Sequence, residues 1–106
     1  MAFTDGEALM TQSTSESDIA DLLHSMSVHC INMSKYIFHV LEISSSTDAP
    51  TWDRIREMTL VLCEGYADRA LLWHLMPDEN QRRPLARGIA LSAVEDAAHS
   101  VGLRWP

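Results

Sequence analysis

The sequence predicts an all-α fold, a long antiparallel helical hairpin with a shorter third helix, assembled as a dimer. Three observations predict it. Apolar residues recur at alternating intervals of four and three along two long stretches, a period that no strand produces. Neither glycine nor proline interrupts residues 7 to 49. Those two stretches also carry more apolar side chains than a hairpin can cover by itself.

In chain order, residues 1–16 read as a disordered polar tail, because TQSTSES (11–17) offers little apolar surface to offset the entropy of ordering it. Residues 17–106 form a single helical domain. A first helix is expected at about 18–43. Ser15 and Asp18 resemble a capping box, and Asp18 and Asp21 suit the positive end of the helix dipole. Its inner seam is Ile19, Leu23, Met26, Cys30, Met33, Ile37 and Val40. SSSTD (44–48) is a turn composition, with Asp48 as a cap and Pro50 in the first turn, where its missing N–H costs nothing. A second helix follows at about 50–76, with Thr59, Cys63, Tyr66, Ala70 and Trp73 as its inner line and Pro77 as its stop. PDENQRRP (77–84) reads as a connector. A thin third helix is expected at 84–101, rich in alanine, with Leu91, Val94, Ala98 and Val101 facing inward.

Composition narrows the function. Eight Lys+Arg against 15 Asp+Glu give a formal charge of −7, which argues against direct nucleic-acid binding. The first basic residue is Lys35, no apolar run is long enough for a bilayer, and a cytoplasmic protein with no membrane contact is expected. The five histidines lack metal-ligand spacing, and there is no CxxC, HExxH, GxSxG or glycine-rich phosphate loop. No metal, cofactor or catalytic residue is therefore expected. Arg82, Arg83 and Arg87 form the one basic cluster and read as a solvated connector. Cys30 and Cys63 stand at similar distances from the turn centred near residue 47, so an antiparallel hairpin brings them to the same height. They read as small core residues at a close approach or as a disulfide pair.

Each of the spans 18–43 and 51–76 has 15 apolar residues out of 26. A helix that buries one stripe needs roughly three in seven. The surplus gathers at Tyr36–Ile43 and Leu71–Met76 and predicts self-association or partner binding. Candidate interface residues are Tyr36, Phe38, Leu41, Ile43, Trp52, Ile55, Leu72 and Met76.

In overall character and length, with SMSVHCINMSKYIFHVLEI (25–43) and TWDRIREMTLVLCEGYADRALLWHLM (51–76) as the guiding stretches, the chain resembles the QslA-type quorum-sensing anti-activators of pseudomonads. The resemblance implies protein–protein inhibition. The partner would be a LuxR-type transcription factor (LasR-like), bound on the dimerisation surface of its ligand-binding domain. A competing expectation is another small helical inhibitor, such as a phage anti-defence protein or an antitoxin.

Overall fold

The computed structural model describes the backbone of residues 2–74 and 76–105 and the side chains of 17–73 and 76–105. It is all-helical: α1 spans Ala2–Val40, α2 Ala49–His74 and α3 Glu79–Ser100. The helix drawn from Ala2 starts earlier than the start expected near residue 18, and the side chains of the expected polar tail, 1–16, lie outside the described residues.

α1 and α2 run antiparallel. The pairings Cys30 with Cys63, His29 with Tyr66 and Phe38 with Trp52 step in opposite directions along the two helices. α3 is antiparallel to α2 in turn, through Asp68 with Arg82 and Glu64 with Arg87. The shorter third helix expected beside the hairpin holds it together. It packs extensively on both partners, while α1 and α2 meet each other far less. Its inward face explains this: Ala86, Ala90, Ala93, Ala97 and Ala98 are buried around Val94. Short side chains let two bulkier helices approach the same narrow rod.

Two core clusters share the interior. The larger includes Cys30, Phe38, Trp52, Leu60, Cys63, the lower alanines of α3 and Leu103. The smaller holds Met26, Ala67, Leu71 and Ala86. The buried rows are therefore Met26–Cys30–Ser34–Phe38 and Thr59–Cys63–Ala67–Leu71, each stepping by four. An alternating four-three pattern averages 3.5 residues per turn, and a straight helix turns through 3.6. That drift carries the far ends of the expected seams out to solvent. Val40 and Trp73, expected inside, are exposed, and so are Leu91 and Val101 of the expected inner line of α3.

The termini follow local chemistry. Asp48 caps α2: its carboxylate accepts from the Thr51 N–H at 3.0 Å and from the Thr51 hydroxyl. Asp78 caps α3, accepting from Asn80 N–H, so the helix opens at Glu79 rather than near residue 84, with Pro84 inside it. α1 ends in a Schellman turn: Ile43 N–H donates to Phe38 C=O at 2.8 Å and Glu42 N–H to His39 C=O, with Glu42 left-handed at φ 55°. α3 ends the same way, with Leu103 donating to Ala98, Gly102 donating to His99, and Gly102 at φ 79°.

Candidate interaction surface

Glu64 reaches toward α3, where its carboxylate pairs with Arg87. At 100° per residue, Leu62 lies about 160° around from Glu64 and Trp73 about 180° around, so both point away from α3. Met58, Leu62, Arg69 and Trp73 thus form one stripe on the outer side of α2, flanked by Val61 and Leu72. All of these side chains are exposed, Leu62 by 50% and Trp73 by 80%. The His29 and Tyr66 rings, 4.4 Å apart, tie this stripe to α1. Tyr36 and Val40 lie seven and eleven residues beyond His29, which is two and three turns along that same side of α1, and both are exposed, Tyr36 by 69%. A shallow cleft of about 320 Å³ opens on this side, lined by Tyr66, Arg69, Ala70 and Trp73. The two long helices thus present a common apolar face on the side left uncovered by α3.

The residues expected at an interface divide into three groups. Tyr36, Leu41 and Leu72 are exposed. Ile43, Ile55 and Met76 are half-buried. Phe38 and Trp52 belong to the core at 1% and 4% exposure, their rings meeting edge-on with centroids 5.2 Å apart, and present nothing to a partner in this packing. Met58, Val61, Leu62 and Trp73 were absent from the expected set. The surplus of apolar residues was visible in the sequence. Its distribution around α2 depends on where α3 sits, and periodicity does not encode that.

Trp52 also anchors the end of the bundle. The Arg56 guanidinium lies 6.0 Å from the Trp52 ring centre and 5.6 Å from that of Trp105. Its Nη1 is 3.0 Å from Asp53 Oδ1, an ion contact without hydrogen-bond alignment. The buried Trp52 indole N–H has no acceptor among the described residues.

In the basic cluster Arg82 is buried, whereas Arg83 and Arg87 are exposed to solvent as expected, each with a carboxylate partner. Arg82, 8% exposed, donates to Asp68 at 2.9 Å and to the Met76 and Pro77 carbonyls at 3.0 Å. Arg83 pairs with Glu79 and Arg87 with Glu64. Each guanidinium has its own carboxylate, which leaves no concentration of positive charge for an anion. Among the described residues no cluster of three or more His, Cys, Asp or Glu side chains is arranged to hold a metal ion, and no helix is long and apolar enough to cross a membrane.

An all-helical bundle with an exposed two-helix apolar face defines a class of architecture rather than a named lineage. No known protein family, curated protein or solved structure matches the chain.

Proposed function

We propose that the protein is an anti-activator. It binds the ligand-binding domain of a LuxR-type transcription factor (LasR-like), occupies that domain's dimerisation surface and so represses quorum sensing. A regulator held as a monomer cannot place two DNA-reading domains on a two-fold site. The inhibitor works by mass action, without catalysis, and the response then requires regulator in excess of inhibitor. It acts in the cytoplasm and is itself a homodimer.

The observation that supports this reading is the uncovered face of α1 and α2. Contiguous exposed apolar side chains, including a tryptophan and a tyrosine, are the composition of interface hot spots. An apolar helical face is also the kind of surface that competes with another protein's apolar dimer contact. The negative charge disfavours a direct approach to DNA, so action on the regulator rather than on its operator is consistent with it.

Co-expression with a LuxR-type ligand-binding domain tests the proposal. The expected result is a co-purifying complex containing regulator monomer, and loss of operator binding by the full regulator when inhibitor is added. Leu62→Arg and Tyr36→Arg should abolish capture while preserving the helical circular dichroism. A regulator that stays dimeric and DNA-bound in excess inhibitor would overturn the reading.

A further inference from the structure

Cys30 and Cys63 face each other across the α1–α2 contact. Both are free and fully buried. The Cys30 Sγ lies 3.8 Å from the Cys63 carbonyl oxygen, and the Cys63 Sγ lies 3.7 Å from the Cys30 carbonyl oxygen. This reciprocal arrangement sets the two sulfurs side by side between the helices. A third polar group joins them. The Ser34 hydroxyl, buried and one turn beyond Cys30, donates to the Cys30 carbonyl at 2.7 Å and sits 3.5 Å from the Cys63 Sγ.

We propose that Cys30 and Cys63 form a redox pair: a peroxide oxidises them to an intramolecular disulfide that staples α1 to α2. Cys63 is the attacking thiol and Cys30 the resolving one.

Hydrogen bonding from the Cys30 thiol draws Cys63 down to about 7, against the effect of burial and with help from Ser34. The same bond, burial and the neighbouring sulfur's charge push the Cys30 thiol up. When Cys63 ionises, Ser34 can turn its single hydroxyl hydrogen from the Cys30 carbonyl to the sulfur. The thiolate attacks the O–O bond of hydrogen peroxide. An S–O bond forms, and hydroxide leaves and is protonated to water, giving a sulfenic acid. The Cys30 sulfur then displaces the sulfenic hydroxyl as a second water, giving up its own proton as the S–S bond forms. Two thiols lose two electrons in all, and one peroxide becomes two waters.

The cysteines are 33 residues apart, so the bond closes a long loop between helices that otherwise touch little. The folded full-length chain should be treated with a small excess of hydrogen peroxide and examined by intact mass and peptide mapping. The expected product is a bond within a single chain, which has lost two hydrogens at Cys30 and Cys63, with a melting temperature raised by roughly 10 °C and restored by dithiothreitol. Cys30→Ser should accumulate a dimedone-reactive sulfenic acid on Cys63, whereas Cys63→Ser should leave Cys30 unreactive. Oxygen addition without loss of hydrogen at the cysteines, a bond formed only between chains, or one formed only after denaturation would each overturn the proposal. The wild-type mass and melting measurements decide it even if a serine variant fails to fold.

Discussion

Arg82 carries the heaviest electrostatic duty of any side chain in the core. It is nearly buried, and its donors are shared between Asp68 on α2 and two carbonyls of the α2–α3 turn. Replacing it with leucine strands a carboxylate and two carbonyls at once. Arg82→Leu should destabilise the protein by about 2–3 kcal/mol in urea unfolding, more than Arg83→Leu, whose ion pair is exposed. Asp48 offers a pH test. Hydrogen bonds from the Thr51 N–H and hydroxyl hold its carboxyl below the ordinary value. A depressed carboxyl contributes stability that is present above the unfolded-state pKa and is lost as pH falls through the folded one. Asp48→Ala should therefore melt lower than wild type at neutral pH, and the gap should close as the solution is acidified below the usual carboxylate range. At Trp52, the indole N–H has no acceptor among the described residues, so a ring without a donor is well tolerated. Trp52→Phe should cost under about 1 kcal/mol, against about 3–5 kcal/mol for Trp52→Ala, in the same unfolding assay.

At the scale of the elements, the two Schellman turns form a natural comparison. Both close with a buried or half-buried apolar residue after the left-handed position, Ile43 in one and Leu103 in the other. Glycine holds that position only at the end of α3. Glu42→Gly should raise stability by about 0.5–1 kcal/mol, and Gly102→Ala should lower it by about 1 kcal/mol, as read by chemical denaturation. Among the described residues a methyl group at Gly102 meets open space, so the second effect comes from the backbone. Much of this level was legible in advance. The Asp48 cap and the existence of three helices follow from composition and spacing. The opening of α3 at Glu79 was hidden because Pro84 reads as a helix start, although a proline near the beginning of a helix removes only one early N–H bond. The inner face of α2 was legible at Thr59 and Cys63, both fully buried, but further along the helix Ala67 and Leu71 take the inward positions expected of Tyr66, Ala70 and Trp73.

The whole molecule is an arrangement in which the thinnest helix joins the two thickest. Packing α3 in this way leaves one groove of the α1–α2 pair filled and the other open. The sequence revealed that apolar surface was in excess. The structure locates it on Tyr36, Val40, Met58, Leu62 and Trp73, and moves Phe38 and Trp52 out of the candidate site into the core. Phe38→Arg therefore tests folding rather than binding. It should abolish the cooperative melt, whereas Leu62→Arg should retain it. Enlarging the α3 seam should act on the whole molecule too. Ala90→Leu puts a branched side chain at a position 1% exposed between both partners, and should cost about 1–3 kcal/mol or more by forcing the helices apart.

Because α3 follows the other two helices in the chain, the ribosome completes α1 and α2 before the piece that unites them is made. A polypeptide halted at residue 78 would hold most of the large side chains of both clusters and almost none of the alanine rod they close upon. Folding of this bundle is thus withheld until α3 has been made. During that interval the unfinished interior is open to contact with neighbouring polypeptides.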